Sequence, residues 1–135
     1  MRVVIDSSVY IDWLKRKQPF VSRLRPFLER DALLTSGVIR CEVLRGIIQE
    51  AERSRMEELF ALSVEVAADH AFWDGVWQLG WKMDRKGIVL PLTDLSIAFM
   101  AIRHDATLIT LDKHFARIPG LNVAPRLPGD SHKIG

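Results

Sequence analysis

Short apolar runs alternate along the chain with longer segments in which apolar residues recur at helical spacing. The runs are rich in β-branched residues and predict strands at residues 2–5, 33–35, 64–67, 106–111 and 122–124. The other segments predict helices at about residues 8–17, 20–28, 37–48, 50–62, 69–85 and 94–102. Strands that alternate with helices imply a parallel sheet, so we predict an α/β fold, a three-layer α/β/α sandwich around a short parallel β-sheet.

The segment 90–115 places one helix and one strand of this pattern between two carboxylates. The helix is apolar at every position from 95 to 102 except one, so it is expected to be buried nearly all round. Thr93 or Asp94 is expected to cap this helix, and Asp112 follows the strand. Ligands bind beyond the carboxyl ends of parallel strands, so Asp112 lies where a functional site is expected.

Two further acids occupy comparable positions. Asp6 follows the first predicted strand, and Glu42 lies on the helix after the second, among mostly apolar or small neighbours. A buried carboxylate is costly unless it is paired or coordinated. A surface salt bridge from Glu42 to Arg40 or Arg45 is the alternative, and both interpretations fit the position. Only the fold brings positions 6, 42, 94 and 112 together.

Composition narrows the class of protein. A chain of 135 residues suits one domain, assigned to residues 1–124, and the tail at 125–135 is expected to be loosely ordered. The single cysteine, Cys41, excludes an internal disulfide and a cysteine-built zinc site, and it is expected to be a small core hydrophobe. No secretory signal or membrane-spanning run is visible, so we expect a cytoplasmic protein that does not enter a membrane.

The net charge of +2 comes from 19 Lys and Arg residues against 17 Asp and Glu residues. If the four acids above form one site, 13 acids remain against 19 basic residues, a balance of +6 on the rest of the molecule. A basic surface around an acidic pocket suits a polyanion that is bound through its phosphates. The alternative is that these charges are scattered over a solvated surface without any role in binding, which would give the same balance.

Four carboxylates that meet would repel one another and raise one another's pKa values unless a cation neutralised them. Oxygen ligands without cysteine or paired histidines favour Mg²⁺ or Mn²⁺ over Zn²⁺. Such ions polarise a phosphodiester and stabilise the departing oxygen, so the set indicates nuclease chemistry. Taken singly, Asp6 and Asp94 are also good helix caps, and Asp112 also suits the start of a turn.

Trp73, Trp77 and Trp81 recur every four residues along the longest predicted helix. Asp69 is expected to cap this helix and Gly87 to end it. Such a row is expected to lie in the core; an oligomer interface is the second interpretation, and a platform for stacked bases is the third.

Four ordered blocks resemble a known family, and they cover roughly residues 1–123. The blocks are VVIDSSVYIDWL, LLTSGVIRCEVLRG, LPLTDLSIAFMAI and ATLITLDKHFARIPGLNV. They are similar to PIN-domain ribonucleases, particularly the VapC-like toxins of type II toxin-antitoxin pairs. The resemblance implies that the catalytic and metal-binding set is Asp6, Glu42, Asp94 and Asp112. It also implies supporting roles for the hydroxyls of Ser8 and Thr110.

The resemblance further implies endonucleolytic hydrolysis of RNA, a Mg²⁺ or Mn²⁺ cofactor, a homodimer and a cognate VapB-like antitoxin. It assigns no residue to RNA binding. Many relatives carry another acid where His114 stands here, which leaves open whether one or two metal ions act. We expect His114 to be idle on the surface, with a phosphate contact as the alternative.

Other functions fit the residues less well. Phosphatases of the haloacid-dehalogenase kind need an aspartate where Ser8 stands, and the acidic pair of receiver domains is not matched. A non-catalytic PIN-like module that binds RNA or a partner is the alternative function. Four retained acids argue against it, because unneeded buried carboxylates are costly.

Overall fold

A computed structural model describes residues 1–129. It contains five strands: β1 (Val3–Ile5), β2 (Leu33–Thr35), β3 (Val64–Glu65), β4 (Thr107–Ile109) and β5 (Asn122–Ala124). It contains six α-helices: α1 (Ser7–Lys15), α2 (Val21–Glu29), α3 (Gly37–Leu44), α4 (Glu50–Leu62), α5 (His70–Arg85) and α6 (Leu92–Arg103). A short 3₁₀ helix, Lys113–Arg117, follows β4. All predicted strands and helices are present, but the strands at 2–5, 64–67 and 106–111 and the helix at 37–48 are shorter than predicted.

The five strands form one parallel sheet in the order β3-β2-β1-β4-β5. β1 lies at the centre, with Val4 beside Leu34 of β2 and Ile5 beside Ile109 of β4. The predicted parallel sheet is therefore confirmed. Because the strands run in one direction, the segments that follow β1, β2 and β4 all begin at the same edge of the sheet.

Both faces of the central sheet are covered by helices. Successive residues of a strand point to opposite faces, and every residue of β1 and β2 is buried, with exposures between 0% and 3%. Helix α3 packs against α1 and α6, and α6 packs against α5 and β4. The three-layer α/β/α sandwich is confirmed.

Helix α6 is buried over most of its length, as predicted, but it begins earlier than predicted. Pro91 is its N-cap, with φ −57° and ψ 150°, and Leu92 is its first residue. Backbone N–H groups at the start of a helix have no partner within it. Proline has no N–H group, so it suits this position. The prediction that Thr93 or Asp94 caps the helix is wrong, and both lie within its first turn.

The tryptophan row does not lie in the core. The buried row of α5 consists of Phe72, Val76, Gly80 and Met83. Trp73, Trp77 and Trp81 are 39%, 57% and 53% exposed. The caps of α5 are as predicted: Asp69 accepts a hydrogen bond from the Phe72 N–H, and Gly87 takes a positive φ just beyond the helix.

Cys41 is exposed, so the prediction that it is a core residue is wrong. Helix α3 has eight residues and ends at Leu44, and its buried positions are Ile39 and Val43. Cys41 lies between these two on the helix, where the backbone turns its side chain away from the core.

The last described residues follow β5, and Leu127 among them is buried at 3% exposure. The rest of the predicted tail, residues 130–135, lies outside the described part of the chain. Within residues 1–129, none of the helices is long and apolar enough to span a membrane.

Gly75→Ala should destabilise the protein, although alanine is the better helix former. A Cβ at position 75 would overlap the ring of Phe99 on α6. Overpacking of this kind typically costs about 1–3 kcal/mol, measured by urea unfolding. Gly37→Ala is the matched control, because its Cβ would lie 3.9 Å from the nearest side-chain atom, Arg40 Nη2. Wild-type stability of Gly75→Ala would show that α5 and α6 do not pack this closely.

Candidate active site

Asp6 is a buried carboxylate at the end of the central strand. Its side chain is 5% exposed, and its backbone N–H donates to the Ile109 carbonyl at 2.9 Å, which extends the pairing of β1 with β4. Asp6 Oδ2 accepts hydrogen bonds from Ser8 Oγ at 2.7 Å and from Thr110 Oγ1 at 2.8 Å. These two hydroxyls offset the cost of burying the charge.

Thr110 connects the first predicted acid to the last. Its hydroxyl donates to Asp6 and accepts the backbone N–H of Asp112 at 3.0 Å. Thr110 is itself buried, at 6% exposure, and lies one residue beyond β4. The carboxyl ends of β1 and β4 are therefore connected through one hydroxyl group.

Glu42 reaches the same edge of the sheet from helix α3. Its Oε1 accepts a hydrogen bond from Ser7 Oγ at 3.0 Å, across the packing of α3 on α1. Of the two arginines considered as partners for Glu42, Arg40 contacts the carboxylate of Glu65 instead. Sequence reasoning missed Ser7. The available signal was the second hydroxyl next to Asp6, at the first residue of a helix.

Asp94 lies in the first turn of α6 and is half-buried. Burial raises the pKa of its carboxyl, and the negative charges of Asp6, Asp112 and Glu42 raise that pKa further. The neighbouring His114 lowers the pKa of Asp94 and so acts in the opposite direction. The fold thus brings all four predicted acids into one region of negative potential.

Asp112 belongs to the same region and hydrogen-bonds to His114. Asp112 Oδ1 accepts the backbone N–H of His114 at 2.9 Å and lies 2.8 Å from His114 Nδ1. An ionised carboxylate only accepts hydrogen bonds, so Nδ1 carries the proton in this contact. The His114 ring is 69% exposed, so it lies on the surface as expected, and there it contacts a predicted site residue.

The donor set fits a hard divalent cation, although it is not preassembled around one. All four acids offer oxygen, the ligand that Mg²⁺ and Mn²⁺ prefer. In residues 1–129, however, no three Asp, Glu, His or Cys side chains form a group that could hold one metal ion as they stand. Asp6, Glu42 and Asp112 each hydrogen-bond to a protein group instead. Metal binding would require some of these carboxylates to turn away from their present hydrogen-bond donors.

A family model for the PIN domain matches residues 3–121 of this chain. The chain belongs to the PIN-domain family. The matched range contains every element from β1 to the 3₁₀ helix, together with all four acids. The resemblance seen in the sequence is confirmed at the level of the family.

Individual relatives of this PIN domain resemble it over nearly its whole length. Ribonuclease VapC2 of Rickettsia felis is 25% identical over 129 residues, which is 90% of this chain and 95% of that protein. The crystal structure of VapBC2 from Rickettsia felis, bound to a promoter DNA fragment, superposes with a TM-score of 0.76 at 19% identity, covering 92% of this chain and 98% of that one. DNA-bound VapBC from Salmonella typhimurium gives a TM-score of 0.75 at 19% identity, covering 92% and 97%. These two structures show that the fold is shared.

Thr110→Val should lower the stability of the PIN domain. The valine keeps the shape of the side chain but leaves Asp6 with one donor fewer and the Asp112 N–H without its acceptor. The expected loss is about 1–3 kcal/mol in urea unfolding. Thr110→Ser keeps the hydroxyl and is the control. If both variants unfold at the same urea concentration, the hydroxyl does not hold the site together.

Asp94→Asn should raise the stability of the metal-free protein at neutral pH. The folded-state pKa of Asp94 is raised above its ordinary value of 3.8, so the unfolded chain releases this proton first and ionisation opposes folding. The opposition is absent below pH 3.8, grows as pH rises and is complete above the folded-state pKa. In EDTA we expect the Tm of the variant to exceed that of wild type by a few degrees at neutral pH, with the gap closing toward acid. A lower Tm at neutral pH would contradict the repulsion.

Proposed function

We propose that this PIN domain is a metal-dependent endoribonuclease that hydrolyses RNA phosphodiester bonds with Mg²⁺ or Mn²⁺ as its cofactor. The observation that carries the proposal is the position of four carboxylates at one edge of the sheet, where burial and the charges of Asp6, Asp112 and Glu42 raise the pKa of Asp94. Carboxylates from the ends of β1 and β4 and from helices α3 and α6 share one negative region at the carboxyl edge of the sheet. A concentration of uncompensated charge at this position is typical of a functional site.

Asp6, Glu42, Asp94 and Asp112 are the residues that would hold the metal. When bound, the ion supplies Lewis-acid chemistry, polarising the phosphodiester and stabilising charge on the departing oxygen. Ser8 and Thr110 keep Asp6 in place as a buried anion, and Ser7 orients Glu42. We infer from these contacts that the hydroxyls act as positioning groups for the acids.

The charge of the chain and its similarity to a ribonuclease both support RNA as the substrate. With the four acids assigned to the site, the remaining 13 acids and 19 basic residues give +6 on the rest of the chain. A basic surround holds a polyanion next to a site that would otherwise repel it. The relative from Rickettsia felis that matches over 129 residues is named a ribonuclease.

We further propose that the protein is the toxin of a VapBC-type pair and that a VapB-like antitoxin is its partner in the cytoplasm. The support is the similarity to VapC2 and to two VapBC complexes. The nuclease would be surrounded by RNA, its substrate, as soon as it folds. The antitoxin would inhibit it.

The nuclease proposal predicts cleavage of RNA that depends on added Mg²⁺ or Mn²⁺ and stops in EDTA. Asp6→Asn and Asp94→Asn should each lower the cleavage rate on the order of 100-fold or more, because each removes charge that would bind the ion. Rates are measured on end-labelled RNA with purified full-length protein.

Asp31→Asn is the matched control for these substitutions. Asp31 is exposed, lies just before β2 at the opposite edge of the sheet, and has a positive φ that asparagine tolerates. Its variant should cleave like wild type. Cleavage that persists in EDTA would refute the metal mechanism. RNA binding without cleavage under any divalent ion would instead indicate the non-catalytic module.

A further inference from the structure

The segment that follows Asp112 carries positive charge and no acid. Residues 113–129 contain Lys113, Arg117 and Arg126 but neither aspartate nor glutamate. All three residues are exposed, and none of them forms an ion pair within residues 1–129. We define these three residues as the basic rim. Their charges are therefore available to a ligand.

Two apolar side chains hold the first part of the basic rim next to the acidic site. Asp112 is the N-cap of the 3₁₀ helix Lys113–Arg117. Within and just after this helix, Phe115 and Ile118 are buried, at 1% and 2% exposure, and fasten the turn to the core. The two exposed basic residues of this turn therefore follow directly after a predicted metal ligand.

The register of the last two strands brings Arg126 to the same edge of the sheet. Strands β4 and β5 are parallel, and Ile109 lies beside Ala124. Both segments therefore leave the sheet at its carboxyl edge, from neighbouring strands about 4.8 Å apart. Arg126 is two residues beyond this pair on one strand, and Asp112 is three residues beyond it on the other. The third basic residue thus approaches the acidic site from the side of β5.

The residues on either side of Arg126 hold it at this edge. Leu127 is 3% exposed and belongs to the hydrophobic core, although it lies in the segment that was expected to be loosely ordered. Burial of a leucine side chain typically contributes about 1.5–3 kcal/mol, which opposes detachment of the segment. Pro125 restricts the backbone before Arg126, because its ring fixes φ. Arg126 is therefore exposed on a backbone that is held on both sides.

The opposite side of the sheet ends in a neutralised pair of charges. Strand β3 is the edge strand on that side, and its last residue, Glu65, contacts Arg40 of α3. The two charges offset each other there, whereas the basic rim on the β5 side keeps its full positive charge. A polyanion that approaches the acidic site is therefore attracted more strongly along the β5 side than along the β3 side.

We propose that the basic rim binds the backbone phosphates of single-stranded RNA and so guides the strand into the acidic site from the β5 side. The inference rests on the proposed nuclease function and assigns the surface through which that site receives its substrate. Guanidinium and ammonium groups bind phosphates by charge-assisted hydrogen bonds that carry no base specificity. The basic rim thus offsets the repulsion between the acids and the RNA backbone, and it leaves the choice of sequence to other contacts.

Fluorescence anisotropy with a labelled single-stranded RNA tests the basic rim. The full chain is titrated in EDTA, so that a metal-dependent cleavage step plays no part in the measurement. Arg117→Ala and Arg126→Ala should each raise the Kd for RNA about 5-fold and lower the slope of log Kd against log salt concentration by about 0.7. The loss should be the same for two RNAs of unrelated sequence, because phosphate contacts do not read bases.

Arg25→Ala is the matched control. Arg25 is exposed and forms no ion pair within residues 1–129, but it lies on α2, whose end leads to the amino edge of the sheet. Its variant should bind RNA like wild type. Rim variants that bind RNA like the control would overturn the proposal, whether or not the protein cleaves RNA. Weakened binding in the rim variants of a protein that cleaves under no divalent ion would support the basic rim and refute only the nuclease proposal.

Discussion

A single hydrogen bond, from the Thr110 hydroxyl to Asp6 Oδ2, joins two residues that are 104 positions apart in the chain. It forms because β1 and β4 pair with Ile5 beside Ile109, which places the next residue of each strand at the same level of the sheet. A slip of one residue would turn Thr110 to the opposite face. The register of two three-residue strands therefore determines whether the first and last acids of the site can cooperate.

The remaining acids show how the fold tolerates a concentration of negative charge. Asp6, Glu42 and Asp112 are each stabilised by a neighbouring donor, from Thr110, Ser7 and His114 respectively. Asp94 lies in the first turn of α6, where unpaired backbone N–H groups favour an anion. These contacts hold the carboxylates individually but leave their mutual repulsion in place, and that repulsion adds to burial in raising the pKa of Asp94. A divalent cation would relieve it directly.

The parts of the structure that were predictable from sequence are those that depend on local pattern. β-branched runs identified the strands, and Asp69 caps α5 as predicted. The start of α6 was misjudged because Pro91 takes the N-cap position from its polar neighbours. The observed start is only slightly earlier than the predicted one, but it places Asp94 inside the helix rather than at its cap.

The features that were missed depend on what covers a helix or on contacts between distant elements. Trp77 and Val76 are adjacent and belong to two different apolar rows of α5. The spacing of apolar residues does not reveal which of the two rows packs against the core. Cys41 shows the same ambiguity on a short helix. Ser7 gains its role only when α3 packs on α1, and the ring of His114 reaches Asp112 only because a 3₁₀ turn follows β4. The sequence could not show that the acids lie near one another. The strand order of the sheet explains how residues so far apart in the chain reach the same edge.

The central place of β1 has a consequence for synthesis. Asp6 is among the first residues to be synthesised. Strand β4, which pairs with β1, begins only at Thr107, and Asp112 is synthesised after it. Long-range pairing must wait for its second strand to leave the exit tunnel. The acidic site therefore cannot assemble on a nascent chain that lacks β4, and a translating ribosome is not exposed to a complete site until most of the domain has been made.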